Sequence, residues 1–228
     1  MVDSSPLSDT PRPGNAKFKK LTPVDPNSTN PYQLTEADRT VIGNTTPKFS
    51  GGFGLNATYK GFDMSMFFNF MYDFDVLNAN KIMLTTWADN KENNFLMDIA
   101  SDKRWRNFDD MGNEIRYSPE VLAEFNKNAT MWNPTSIGRP ICMSYAVEDG
   151  SFLRLNSATL GYTLPSVWTK KVGLSKVRFY VSGNNLFTLT GYSGYDPEVN
   201  IATGLTPNID YDRYPRSRTY TFGAQLTF

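Results

Sequence analysis

The chain has 228 residues with 23 basic and 23 acidic side chains, no histidine and a single cysteine. Zero formal charge gives no basic excess for a nucleic-acid partner, and the missing histidine removes the commonest general base and transition-metal ligand. One cysteine excludes an internal disulfide and a Cys-cluster zinc site. No run of about 18 apolar residues occurs, which excludes a transmembrane helix, while an aromatic content of 14 % favours β-structure.

Residues 1–47 come first and are predicted to be a loop region. Their prolines recur throughout, at Pro6, Pro11, Pro13, Pro23, Pro26, Pro31 and Pro47. Proline has no backbone N–H to donate to a sheet, so this stretch cannot form a central strand. A loop of this length is uncommon inside a compact domain and indicates an unusual architecture.

Two alternating segments joined at Lys60-Gly61 predict a β-hairpin. Over residues 48–60 the apolar face comprises Phe49, Phe53, Leu55, Ala57 and Tyr59. Over residues 62–74 every even position is apolar or aromatic: Phe62, Met64, Met66, Phe68, Phe70, Tyr72 and Phe74. Strict period-two alternation predicts strands with one apolar face. A run of about 13 residues exceeds the roughly 5–6 of an ordinary soluble strand and suffices for the roughly 9–11 that cross a bilayer.

Residues 75–147 break this alternation and are predicted to be a long polar loop. Three tryptophans lie in it among many polar residues: Trp87, Trp105 and Trp132. One short helix is predicted from Ser118 to Phe125, with Ser118 as its N-cap and Pro119 as its first helical residue. A connection of about 70 residues lies far outside the range of ordinary loops.

Strand patterns return after this loop. Residues 151–162 form one predicted strand, whose mixed alternation leaves its faces unassigned, and residues 177–189 form another. Residues 191–215 are predicted to be a second long loop, rich in Gly, Pro, Asp and Tyr. The last predicted strand covers residues 218–228, and its apolar face comprises Tyr220, Phe222, Ala224, Leu226 and Phe228.

Short and long connections alternate along these strands, as in outer-membrane barrels with short periplasmic turns and long outer loops. Such barrels also place an apolar face toward lipid and a polar face toward the lumen. The predicted fold is therefore all-β, an antiparallel transmembrane β-barrel segment of about five strands, too few to close alone. Residues 1–47 would be an extracellular loop region, and residues 48–228 the C-terminal barrel strands with the long extracellular loop 75–147. Half-buried strands of a soluble β-domain are the alternative.

Seven sequence blocks, found in a fixed order, carry a resemblance to one family. They are Asp38–Asn44 with Pro47–Phe49, Tyr59–Asp63, Glu148–Leu155, Leu160–Pro165, Asn184–Thr188, Gly191-Tyr192 with Asp196–Glu198, and Tyr214-Pro215 with Arg218. Together they resemble the SusC/RagA-type TonB-dependent outer-membrane transporters over residues 38–228. Each block is short, and their order gives the resemblance its weight.

The resemblance implies a nutrient importer in the outer membrane of a Gram-negative, Bacteroidetes-type bacterium, with a barrel of about 22 strands. In this family the importer works with a SusD-like surface lipoprotein and takes up glycans or peptides, using energy from the TonB complex. The family's plug and TonB-contacting segment lie N-terminal to the matched blocks, so TonB would be contacted through a part that this chain lacks. Outer-membrane lipid and the barrel-assembly machinery are further implied partners. The residues resembling the assembly signal are Tyr220, Phe222, Leu226 and Phe228.

No catalytic, cofactor or metal site is predicted, and the sequence gives no support for an enzyme. Cys142 has no histidine to activate it, so an ordinary loop or buried thiol is favoured. Asp109 and Asp110 fit a solvated loop pair better than a catalytic pair. Residues 196–198 are predicted to shape a turn.

Aromatic side chains in the two long loops are the better functional candidates. They are Trp87, Trp105, Trp132 and Tyr145 in the first loop, and Tyr192 and Tyr195 in the second, beside Tyr211 and Tyr214. Aromatic faces stack on sugars or apolar peptide side chains while their polar tips form hydrogen bonds. Packing within the loops, contact with the lipoprotein, or a membrane-interface belt of tyrosines are the alternatives. The predicted function is the C-terminal barrel portion of an importer, and the alternative is a soluble β-rich binding or interaction module.

Overall fold

The computed structural model describes residues 13–24, 26–27, 34–86, 94–100, 102–136, 141–199, 207–211 and 213–228. Its strands are β1 (Phe49–Tyr59), β2 (Phe62–Tyr72), β3 (Asp75–Asn78), β4 (Val147–Asp149), β5 (Phe152–Thr163), β6 (Lys176–Thr190), β7 (Ile209–Asp210) and β8 (Thr219–Thr227). Its α-helices are α1 (Ala79–Met83), α2 (Pro119–Phe125) and α3 (Ser166–Thr169). Short 3₁₀ helices occupy Glu36–Asp38, Met97–Ile99, Pro134–Ser136, Ser144–Ala146 and Lys170–Val172. None of the described helices is long and apolar enough to cross a membrane.

Five long strands form one antiparallel sheet in the order β1-β2-β5-β6-β8, which confirms the five predicted strands. They contain 9 to 15 residues each, more than the roughly 5–6 residues usual in soluble domains. β1 and β8 are the two edges, so the sheet is open within the described part of the chain.

The hairpin between β1 and β2 turns at Lys60 and Gly61, as predicted. Their φ angles are +45° and +88°, the two left-handed residues that a type I′ turn requires. Gly61 also lacks room for a side chain, because a Cβ there would lie 2.8 Å from the carbonyl oxygen of Thr163. The turn fixes a register in which Leu55 opposes Met66.

The strand register gathers the apolar positions of all five strands on one face of the sheet. One row across the sheet runs through directly opposed residues: Leu55, Met66, Ala158, Gly183 and Tyr220. Directly opposed residues of neighbouring strands point to the same side. The apolar faces predicted for the two hairpin strands and for the last strand therefore coincide.

β5, whose faces the sequence left unassigned, contains a bulge that explains its mixed alternation. Asn156 has no partner in β2, because the register passes from Leu155 directly to Ser157 between consecutive residues of β2. One extra residue reverses the face of every side chain beyond it. The apolar face of β5 consequently uses odd positions before the bulge and even positions after it: Leu153, Leu155, Ala158, Leu160 and Tyr162.

The strand predicted from Phe62 to Phe74 is wrong at its end, because β2 stops at Tyr72. Asp73 adopts a left-handed backbone with φ of +59°, which turns the chain out of the strand direction. Phe74 is only 3 % exposed and leaves the apolar face. It packs instead in a small core with Val76, Phe152, Tyr192 and Val199.

The chain divides into two compact units. One comprises residues 43–77 and 147–228, and the other lies within residues 1–42 and 78–146. The first unit contains the five-stranded sheet and a small sheet of order β4-β3-β7. The second contains α1 and α2, and α2 begins at Pro119 after Ser118, as predicted. The extracellular placement of the loop regions stays a prediction.

Candidate functional site

The two faces of the five-stranded sheet differ in chemistry, and this contrast is its main functional feature. One face carries large apolar side chains that are between 41 and 80 % exposed: Phe49, Phe53, Leu55, Tyr59, Phe62, Tyr72, Leu160, Phe179, Phe187, Leu189, Tyr220, Phe222 and Leu226. So extensive an exposed apolar surface marks contact with a protein or a membrane. Its breadth over five long strands suits the hydrocarbon region of a bilayer.

The opposite face is polar and is braced by an ion pair. Arg178 of β6 reaches across β5 to Asp63 of β2, donating from Nε to Oδ1 at 2.9 Å and from Nη2 to Oδ2 at 2.5 Å. Gly161 of β5 makes this reach possible, because a Cβ there would lie 2.7 Å from the guanidinium carbon of Arg178. The pair ties three strands together at the end of the sheet that carries the short turns.

Phe67 is the exposed aromatic exception on the polar face of β2. Its ring lies against β1, where a Cβ on Gly52 would come within 2.8 Å of the ring carbon Cζ. The side chain remains 43 % exposed. The polar face therefore offers one aromatic surface near the middle of β2, and such surfaces pack against sugar rings or apolar side chains.

A buried ion-pair network lies at the other end of the polar face. Arg154 of β5 is 2 % exposed, and its Nη2 donates to Oδ1 of Asp196 at 2.5 Å. Glu198 extends the network. Its Oε2 lies 3.7 Å from Nη2 of Arg154, and its Oε1 lies 2.7 Å from Nη2 of Arg216. Burial acts to raise the pKa of Asp196, but the hydrogen bonds from Arg154 and the Glu198 N–H outweigh it, so the pKa lies below its usual value.

Sequence reasoning missed this network and treated residues 196–198 only as a turn. The turn exists, because the Glu198 N–H donates to Oδ1 of Asp196 at 2.9 Å, but both carboxylates also hold arginine side chains. One signal was present in the sequence: Arg154 stands between two leucines in a strand. A charged residue among apolar neighbours is buried only with a partner.

The segment that carries Asp196 is anchored at two further points. Tyr192 is 6 % exposed, and its hydroxyl donates to Oδ2 of Asp210 at 2.6 Å. Burial and this hydrogen bond raise the pKa of Tyr192. Ser193 donates to Glu148 from its backbone N–H at 2.9 Å and from its hydroxyl at 2.8 Å. The second long loop is therefore fixed to the end of the sheet opposite the short turns, here called the loop end, and Tyr192 is turned inward.

Asp38, at the start of the first family-like block, organises the backbone around it. Its side chain is 4 % exposed. Oδ1 accepts from the N–H groups of Thr22 at 2.7 Å and Leu21 at 2.9 Å, and Oδ2 accepts from the N–H of Thr35 at 2.9 Å. These bonds, led by that from Thr22, hold the pKa of Asp38 well below its usual value.

Trp132 and Tyr145, two of the predicted contact residues, pack together in the unit that contains α1. Their ring centroids are 4.9 Å apart in an edge-to-face arrangement, and Trp132 Nε1 donates to the carbonyl of Thr85 at 3.2 Å. The Tyr145 hydroxyl donates to Asp98 at 3.2 Å, and Lys81 Nζ lies 4.4 Å from the Tyr145 ring centroid. Both rings are half-buried, so their role as ligand contacts stays a prediction.

The other predicted contact residues are not gathered into one site. Trp105 is half-buried and packs against Gly14, where a Cβ would overlap the indole ring. Tyr195 is 82 % exposed, and Trp87 lies outside the described residues. The residues predicted as an assembly signal are between 50 and 90 % exposed: Tyr220, Phe222, Leu226 and Phe228.

Known proteins are similar to this chain in sequence and in architecture, although no protein-family model matches the chain. The chain is 34 % identical to TonB-dependent receptor P3 of Formosa agariphila over 228 residues, covering 97 % of this chain and 20 % of that receptor. It is 36 % identical over 88 residues to TonB-dependent receptor SusC of Bacteroides thetaiotaomicron, covering 37 % of this chain and 8 % of SusC. The solved RagAB peptide importer in its open-open state matches with a TM-score of 0.61 and 26 % identity, over 86 % of this chain and 19 % of that chain. The chain thus spans about a fifth of the length of receptor P3.

Proposed function

Because this chain is part of a TonB-dependent receptor of the SusC/RagA type, we propose that it supplies C-terminal strands to the barrel of an outer-membrane nutrient importer. The observation that carries the proposal is the two-faced sheet, with an exposed apolar face and a polar face braced by Asp63 and Arg178. A barrel wall in a bilayer needs this chemistry, because one side meets lipid and the other meets a wet lumen.

The open edges of the sheet support a role as one segment of a larger barrel. β1 and β8 each leave one side of their backbone without a neighbouring strand in the described chain. Unpaired N–H and C=O groups are costly in lipid, so a membrane-spanning sheet must continue until it closes. Large outer-membrane transporters close with about 22 strands, and five strands would supply less than a quarter of such a wall.

We assign glycans or peptides as the cargo class, a SusD-like lipoprotein as the surface partner and the TonB complex as the energy source. Similarity to SusC and to the RagAB peptide importer supports this assignment. Within the chain, exposed aromatic side chains support contact with such cargo. Phe67 on the polar face of the sheet is 43 % exposed, and Tyr195 in the second long loop is 82 % exposed.

The test expresses the complete reading frame that contains this chain and measures outer-membrane localisation with uptake of labelled oligosaccharides and peptides. Met66 and Ser65 provide a matched pair, because they are neighbours on opposite faces of β2. Met66→Arg places a charge in lipid, which costs about 2–4 kcal/mol near the midplane, and should sharply reduce folded receptor in the membrane. Ser65→Arg faces the lumen and should leave the amount unchanged.

Equal effects of the two arginine variants would contradict the proposed lipid and lumen faces. A monomeric protein that folds cooperatively in water without detergent would contradict membrane insertion and would support the soluble binding module instead. Normal localisation without uptake of either cargo class would overturn the assigned cargo while leaving the membrane role in place.

A further inference from the structure

The connection between β5 and β6 has a structure that the transport role does not require. It contains α3, continued by the 3₁₀ helix Lys170–Val172, and ends at Gly173 with a left-handed φ of +75°. Thr169 is 2 % exposed, and its hydroxyl donates to the carbonyl oxygen of Ser166 at 3.4 Å. Three apolar side chains nevertheless point outward and are between 59 and 70 % exposed: Val167, Trp168 and Val172.

The same end of the sheet is basic. Three exposed lysines lie in the two turns there, and none forms an ion pair with the described residues: Lys60, Lys170 and Lys171. A fourth, Lys176, stands two residues before Arg178 on the polar face of β6. Asp63 is the only acidic side chain in residues 57–65, 160–180 and 221–228, and it is already paired with Arg178. A terminal carboxylate on Phe228 would still leave a positive excess.

The turn also borders the apolar face of the sheet. α3 packs against β6, and Val177, the first apolar-face residue of β6, is 5 % exposed whereas Phe179 is 51 % exposed. The apolar surface therefore extends to the turn, where Trp168 precedes Lys170 and Lys171 by two and three residues. Indole rings favour the headgroup region of a bilayer, and lysine stems lie along apolar surface while their ammonium groups reach polar groups.

We propose that the turn from Ser166 to Val172, together with Lys60, is an interfacial site that binds anionic phospholipid headgroups of the periplasmic leaflet. The inference rests on the proposed membrane function, which places the short turns on the periplasmic side. The three apolar side chains enter the boundary between headgroups and acyl chains, and the ammonium groups contact phosphate. Unpaired positive charge beside an exposed apolar surface selects anionic lipid over zwitterionic lipid.

The test uses the complete receptor in detergent and measures retained phosphatidylglycerol against phosphatidylcholine by native mass spectrometry. Wild type should prefer phosphatidylglycerol by about tenfold, and a variant carrying Lys60→Gln, Lys170→Gln and Lys171→Gln should retain both lipids equally. The matched control places the same three charge changes outside the sheet, at Lys19, Lys103 and Lys127, and should keep the preference. Trp168→Ala should weaken retention of both lipids, because it removes apolar contact without changing charge.

A triple-lysine variant with the wild-type preference would overturn this inference, even if localisation and uptake are normal. Normal localisation and uptake in the same strains would show that the proposed function survives that failure. Loss of a bound periplasmic protein, with lipid preference unchanged, would assign the turn to a protein partner and also overturn the inference. Absence of the receptor from the outer membrane would overturn both proposals.

Discussion

The two ends of the five-stranded sheet are built on different principles. At the turn end the connections contain two residues between β1 and β2 and twelve between β5 and β6, and the surface is basic and aromatic. At the loop end the chain leaves β2 after Tyr72 and returns at Phe152, then leaves β6 after Thr190 and returns at Thr219. Most charged side chains at the loop end are carboxylates, and several of them accept hydrogen bonds from the buried Arg154 or from backbone N–H groups.

The difference shows what each kind of connection needs. A two-residue turn needs only the left-handed backbone of Lys60 and Gly61, which the strand twist favours. A long connection loses more conformational entropy when its ends are ordered, so it must be anchored by specific contacts. Here the anchors include the pair of Lys48 with Asp73 and the pair of Arg154 with Asp196. Three of these four anchoring residues, Lys48, Arg154 and Asp196, belong to the sequence blocks that resemble the SusC/RagA family.

The largest expected effect comes from removing a loop-end anchor. Asp196→Ala should lower the free energy of unfolding by about 3–5 kcal/mol, because it leaves Arg154 buried without its main partner. Chemical unfolding of the detergent-solubilised receptor measures the change. Glu36→Ala is the control, because the ion pair of Glu36 with Arg39 is highly exposed and its loss should cost less than about 1 kcal/mol.

Similar small losses for Asp196→Ala and Glu36→Ala would show that the loop end does not depend on buried charge pairing. Asp196→Asn should fall between wild type and alanine, since the amide oxygen still accepts from Arg154 but carries no charge.

A smaller loss in the free energy of unfolding is expected from a change at the turn end. Gly61→Ala should cost about 1–2 kcal/mol, because alanine resists the left-handed backbone and its Cβ would press on the Thr163 carbonyl. The same unfolding measurement applies. Gly54→Ala in β1 is the control, since a Cβ there meets the Met66 carbonyl oxygen at an ordinary 3.5 Å. Equal costs at both glycines would show that the turn geometry does not determine the register.

The smallest expected effect is a pH dependence in the stability of the loop end. The pKa of Asp196 is lowered in the folded chain, so its stabilising contribution is complete above the unfolded pKa of about 3.9 and is lost as pH falls through the folded value. The protection of residues 191–199 against hydrogen exchange, relative to the intrinsic rate at each pH, should therefore fall below about pH 4. Asp196→Asn removes the titrating group and should abolish this loss of protection; its persistence would assign the effect to another carboxylate.

Alternation along the chain was enough to predict the two hairpin strands, the last strand and the shared direction of their apolar faces. Strand periodicity is a local property, because successive side chains point to opposite sides of any extended backbone. The turn at Lys60 and Gly61 and the helix starting at Pro119 were equally readable, since their signals lie within a few residues. The sequence alone therefore determined a sheet with one apolar face and the family resemblance that accompanies it.

Only the tertiary structure decided which distant groups meet. The faces of β5 depended on a bulge at Asn156 that exists only in register with its neighbours. Phe74, expected on the apolar strand face, and Tyr192, expected as a loop contact, both pack in one small core that only the folded loops assemble. Arg154 found its partner 42 residues away. A sequence shows which residues need burial or a counter-charge, but the partner is set by the fold, because contacts between distant residues depend on strand order and register.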